Sequence, residues 1–221
     1  MLEKIKSKGY WRVLVRPQAF DPELVPYGEL TNLLRKSAVD LRGWDFPHVL
    51  DENPNKEKNY VYLDTDFDGI VESWRFYQSG QFIHYAGIIS DWRDTKNASL
   101  NQYGKVLGVI DTVGRYTDIF EFSSRLARSI PKIGDLEIEI ILRGLRDRFL
   151  VNEASPIGLR GQHVADLDEF SSPQAKAYSE AELTARPREL ALQAALELFR
   201  RFGWNSTEVN LRAIQERILR R

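Results

Sequence analysis

The sequence predicts an α+β fold: an antiparallel sheet covered by helices, with a helical hairpin at the end of the chain. Three observations predict it. Tyr10–Val15, Tyr60–Asp64, Ile70–Gln78, Gln81–Ile89 and Leu136–Arg143 are rich in β-branched and aromatic residues, and polarity alternates along them fully or in part. Pro26–Ala38, Val106–Ile130 and Pro187–Phe202 repeat apolar residues at helical spacing. The three central strands are joined by short connections, Thr65–Gly69 and Ser79-Gly80, which makes them an antiparallel meander.

Taken in order, Tyr10–Val15 is a strand that Arg16-Pro17 should end, because proline cannot donate to a ladder. Pro26 suits the first turn of a helix running to Ala38, with Arg35 and Lys36 opposing its dipole. Val39 and Leu41 suggest a short strand, and Asp45 to His48 a rigid loop held by Trp44 and Phe46. Asp51 to Lys58 is a polar, exposed loop, and Asp94 to Tyr103 a polar connection. In the strand Ile70–Gln78, Val71, Ser73, Arg75 and Tyr77 face one way, and Glu72, Trp74 and Phe76 the other. The helix Val106–Ile130 contains Gly114, a candidate interruption, and Pro131 stops it.

Residues 151–186 carry little pattern beyond a short helix near Gln174 to Leu183. Pro187–Phe202 has one wide apolar stripe ended by Gly203, and Asn205 with Glu208 forms a capping box for a last helix. The expected organisation is a core domain over 1–150, an extended linker or arm over 151–186 and a helical hairpin over 187–221.

The chain has 221 residues, 43% hydrophobic and 29% charged, a composition ordinary for a globular protein that buries its own core. It has no cysteine, which excludes disulfides, thiolate metal sites and cysteine nucleophiles and fits a reducing, cytoplasmic setting. The N-terminus has no apolar run to serve as a signal peptide, and no stretch reaches the ~18 apolar residues of a membrane span. Net charge is -1, so indiscriminate nucleic-acid binding is not expected. The segment 186–221 is locally basic, with eight arginines against four glutamates.

Val39 to Asp94 holds three of the five tryptophans and two of the three histidines. Within it, Asp64, Asp66, Asp68, Gly69 and Glu72 resemble the first half of a calcium loop. The twelfth position is Arg75 instead of the bidentate glutamate of an EF-hand, so a hairpin turn with capping aspartates competes with a calcium or magnesium site. The same acids define a metal-dependent hydrolase or nuclease as the alternative function. His48 and His84 lie near acids in sequence, but no serine elbow supplies a nucleophile and no catalytic residue is assigned. Arg42, Trp44, His48, Arg75 and Arg93, with Arg212 and Arg217 on the last helix, are the candidates for contacting protein or nucleic acid.

Leu41–Val49 (LRGWDFPHV), Ser73–Tyr85 (SWRFYQSGQFIHY) and Thr117–Ala127 (TDIFEFSSRLA) resemble an uncharacterised family of prokaryotic proteins. Similar RGWxFPH, YxSGxF and TExFEFxxRLA segments recur in it in this order. The resemblance covers roughly Tyr10 to Ile130 and brings no catalytic residues. It implies a component of mobile or antiviral defence modules. The leading expectation is therefore a non-enzymatic binding or adaptor subunit of a multi-component complex, with a protein partner, no membrane and no required cofactor.

Overall fold

The computed structural model describes residues 1–93, 104–153, 159, 161–172 and 176–220. In chain order the elements are α1 (Leu2–Lys6), β1 (Tyr10–Pro17), a 3-10 turn (Tyr27–Glu29) leading into α2 (Leu30–Ser37), β2 (Val39–Asp40), β3 (Asp45–Phe46), β4 (Asn55–Lys56), β5 (Tyr60–Phe67), β6 (Ile70–Tyr77) and β7 (Phe82–Gly87). A second 3-10 turn (Ile89–Asp91) follows, then β8 (Val106–Gly108), α3 (Val109–Ser129), β9 (Leu136–Arg143), β10 (Phe149–Val151), β11 (Glu169–Ser171), β12 (Lys176–Tyr178), α4 (Glu180–Ala185), α5 (Pro187–Arg201) and α6 (Glu208–Leu219). The class is α+β.

The main sheet is antiparallel in the order β11-β9-β1-β7-β6-β5-β4, and β12 also pairs with β9. Its register places residues in rows. Leu63, Trp74, His84, Val13 and Ile140 form one row, and Val61, Phe76, Phe82, Val15 and Ile138 the next. These rows are buried and join the main core with α2, α3, α5 and α6. The opposite face carries Tyr62, Arg75, Ile83, Leu14 and Glu139 in one row. The alternation written in the sequence thus separates a dry face from a partly wet one.

The buried side of α3 includes Val109, Val113, Tyr116, Phe120 and Ala127. It is the central helix: α2, α4, α5 and α6 all pack against it. Burial of aliphatic and aromatic side chains at this scale, worth roughly 1.5–3 kcal/mol each, outweighs local propensity. That explains why the helix runs straight through Gly114.

Several elements differ from the sequence expectation. β1 continues through Pro17, whose position near the end of the strand leaves few bonds to lose. The expected start of the long helix, Val106–Gly108, is a strand paired in parallel with β10. The exposed loop after Asp51 contains β4, paired with β5. The short helix expected near Gln174 begins instead at Glu180, after β12, and Gln174 lies outside the described residues. The connection 94–103 also lies outside them. Thr207, not Asn205, caps α6, its hydroxyl accepting from the Asn210 amide at 3.3 Å.

Candidate functional site

The residues chosen from sequence fall into four places: a loop clamped onto α3 with Glu72 buried beneath it, the β5–β6 hairpin tip, the wet face of the sheet, and the last helix, α6.

The loop runs from Leu41 to Val49 and includes a cis Phe46-Pro47 bond. Arg42 anchors it. One Nη donates to Asp111 at 2.7 Å and the other to Asp118 at 2.6 Å, acids seven residues apart on α3. Burial alone would lower the Arg42 pKa, but the pull of Asp118 and then Asp111 overcomes it and holds the pKa above its ordinary value. Burial pushes the Asp118 carboxyl up, against the opposing pull of Arg42 and Arg115. With both guanidinium ends committed, Arg42 positions the loop.

Trp44 stacks on His48 with ring centres 4.0 Å apart, and its indole N–H donates to Glu72 at 3.3 Å. His48 Nδ1 bonds Asp45 Oδ1 at 2.5 Å, and the other Asp45 oxygen accepts the amides of Val49 and Leu50 at 2.7 and 2.8 Å. Below them, Glu72 and His84 form a buried pair at 2.9 Å, beside the Arg115 guanidinium. Burial depresses the His84 pKa, outweighing the pull of Glu72, so the imidazole is neutral and donates its Nε2–H to an ionised Glu72. Burial opposes that ionisation, but the His84 bond and the Arg115 charge hold the Glu72 pKa below the usual carboxylate range. The pair is 0% and 1% exposed, out of reach of a substrate.

The hairpin tip closes as an Asp-Gly turn, Asp68 at φ 46° and Gly69 at φ 75°, the geometry a tight hairpin demands. Asp64 and Asp66 pair with Ser73 and Val71 and lie on the wet face. Glu72 pairs with Thr65 and points into the core. The sheet therefore stands between Glu72 and the aspartates. Asp66 pairs with Lys4, and Arg93 holds Asp68 at 2.8 Å and its carbonyl at 2.5 Å. Among the described residues no group of three or more His, Cys, Asp or Glu is placed to hold a metal ion.

The wet face is the place that sequence reasoning covered least. α1 packs over one end, where Ile5, Tyr10 and Val71 form a small cluster with Tyr85 and Trp92. The rest carries the Tyr62–Arg75–Ile83–Leu14 row and, beside it, the Tyr60–Tyr77 pair, all partly exposed. Tyr60 lies 5.0 Å from Tyr77 and 5.9 Å from Tyr62, and the Arg75 guanidinium stands 5.9 Å over the Tyr62 ring. On the same face, Arg12 and Arg16 of β1 are paired with Glu139 and Glu137 at 2.9 and 2.7 Å. Arg75 has no carboxylate partner among the described residues.

Tyr60 and Tyr62 were legible as strand residues, but their meeting with Tyr77 and Arg75 depends on a register that no local signal sets. Asp111, Arg115 and Asp118 carried a signal: polar groups recurring on the buried side of an apolar helix. On α6, Arg212 pairs with Glu208 at 2.7 Å and with Glu189 at 3.5 Å, while Arg217 is exposed.

Comparison with protein-family models, with curated proteins and with solved structures finds no match for the chain.

Proposed function

We propose that the chain is a non-enzymatic binding subunit that docks a protein partner on the wet face of its sheet. The observation that carries this reading is the Tyr60–Tyr62–Tyr77 cluster with Arg75 over Tyr62. Tyrosine and arginine are the residues on which interface energy concentrates, because they bury large area at modest entropy cost. The charge pattern favours protein over nucleic acid. Arg12 and Arg16 are already neutralised by carboxylates of the same face, so a polyanion would release few counterions there. Arg75, which has no carboxylate partner among the described residues, stands over the Tyr62 ring and suits an acidic residue ringed by apolar groups on the partner. The family resemblance supports a place in a multi-component assembly, of which antiviral defence is one setting.

The test begins with the tagged chain recovered from its own host with whatever protein accompanies it, followed by reconstitution from purified components. Tyr62→Ala and Arg75→Glu are each expected to weaken the reconstituted complex by tenfold or more, about 1.4 kcal/mol, while Arg217→Glu leaves it unchanged. A complex indifferent to both substitutions would overturn the reading. So would tight binding to labelled single-stranded DNA or RNA at moderate salt, abolished by Arg75→Glu.

A further inference from the structure

A cavity lies away from the tyrosine cluster, where α1 meets the end of β9. Its volume is about 780 Å³, and its walls include Lys6, Lys8, Asp91, Lys105, Arg143 and Asp168. That size falls in the range of small-molecule sites.

The cavity is framed by one ion pair whose guanidinium is fully buried and whose carboxylate, Asp91, is 11% exposed. Arg148, 0% exposed, donates from both Nη groups to the Asp91 carboxylate at 2.8 and 2.7 Å. The same guanidinium reaches the Val106 carbonyl at 2.8 Å and the Gly144 carbonyl at 3.1 Å. Asp91 Oδ2 also accepts the Gly9 amide at 2.9 Å. Four separate stretches of the wall are thereby tied to one charge pair. The backbones close up behind it: a Cβ on Gly144 would lie 2.8 Å from the Gly9 Cα, and one on Gly9 would lie 2.4 Å from Arg148 Nη2.

With Asp91 matched by Arg148, Asp168 is the remaining acid among the lining residues, against four cations: Lys6, Lys8, Lys105 and Arg143. Lys8 donates to the Asp91 carbonyl at 2.5 Å and stands 4.3 Å over the Trp92 ring, which fixes its direction. Lys6 lies 5.5 Å over Tyr85. Arg143 pairs with Glu169 at 2.6 Å, both about half exposed, a contact weak enough to yield to a stronger anion. Lys105 is exposed and has no carboxylate partner among the described residues. A concave, cation-lined site of this kind focuses positive potential in a chain whose net charge is -1.

We propose that this cavity binds a small phosphate-bearing anion, with Lys105 and Arg143 as principal phosphate contacts and Lys6 and Lys8 as the opposing wall. Arginine supplies forked donors to phosphate oxygens and lysine a point charge. The volume exceeds what a single phosphate fills, which points to a pyrophosphate- or nucleotide-sized ligand.

Isothermal titration of the full chain with inorganic pyrophosphate, and separately with ATP, at low salt tests this. Saturable one-to-one binding that weakens as salt rises is expected for at least one probe. Lys105→Glu and Arg143→Glu should each weaken it at least tenfold, while Lys132→Glu, in the turn before the opposite end of β9, should not. Equal affinity for the two probes assigns recognition to phosphate alone, and tighter ATP binding assigns a nucleotide. The proposal is overturned by no binding of either probe at millimolar concentration, by binding indifferent to both charge reversals, or by an equal loss in Lys132→Glu.

Discussion

Arg42 lies across the bare Cα of Gly114. A Cβ there would stand 2.7 Å from Arg42 Cδ, 2.9 Å from Nε and 3.0 Å from Cζ. Alanine is the better helix former by roughly 1 kcal/mol, so Gly114→Ala would stabilise α3 if nothing lay over it. The Arg42 stem cannot move aside without releasing Asp111 or Asp118. Gly114→Ala is therefore expected to destabilise the protein by about 1–3 kcal/mol in urea unfolding. In an Arg42→Ala background the same substitution should turn stabilising. A stabilising effect in the wild-type background would show that Arg42 is not held.

The ion pairs of Arg42 are a second target. Asp118 is 1% exposed and Arg42 23% exposed. Arg42→Met strands a buried carboxylate, at an expected cost of roughly 3 kcal/mol. Adding Asp118→Leu removes that stranded charge, so the double variant should recover much of the loss. A double variant no better than Arg42→Met would mean that the cost lies in lost packing of the loop, not in charge.

This contact marks where sequence reading stops. The period-two strands around Trp74, His84 and Ile140 were legible because each strand states its own two faces. The passage of α3 through Gly114 was not, because the partner that makes glycine fit is Arg42, far away in the chain. β11 and β12 were missed because three residues are too few to show a period, and their pairing depends on β9. The Asp-Gly turn at Asp68 was legible as turn chemistry, but the separation of Glu72 from Asp64 and Asp66 follows from the strand parity on either side of the turn. The tyrosine cluster required the β5–β6 register.

The cap of α6 offers a local test. Asn205 and Thr207 both suit the position by type, and the structure selects Thr207, bonded to the Asn210 amide. Thr207→Ala should cost about 1 kcal/mol, and Asn205→Ala much less. Thermal or chemical unfolding of the two variants separates them. A larger loss for Asn205→Ala would move the helix start upstream.

The buried His84–Glu72 pair sets a pH dependence with a definite sign. Burial, and to a lesser degree Arg115, hold the His84 pKa below its ordinary 6.5 despite the pull of Glu72. Below pH 6.5 the unfolded chain therefore takes up a proton that the folded chain refuses. Stability contributed at neutral pH is lost as pH falls from 6.5 through the folded value, by up to about 1.4 kcal/mol per pH unit. Glu72, whose pKa is lowered from 4.5, acts in the same direction in a more acid window. Asp118 acts in the opposite sense: its raised pKa favours the fold below 3.8, an advantage lost as pH rises through the folded value. His84→Gln preserves a donor for Glu72 and removes the titration. The wild type should therefore lose stability relative to His84→Gln between pH 6.5 and 5, measured as the difference in unfolding free energy at each pH. Parallel pH profiles for the two proteins would mean that His84 takes up its proton in the folded state as readily as in the unfolded chain.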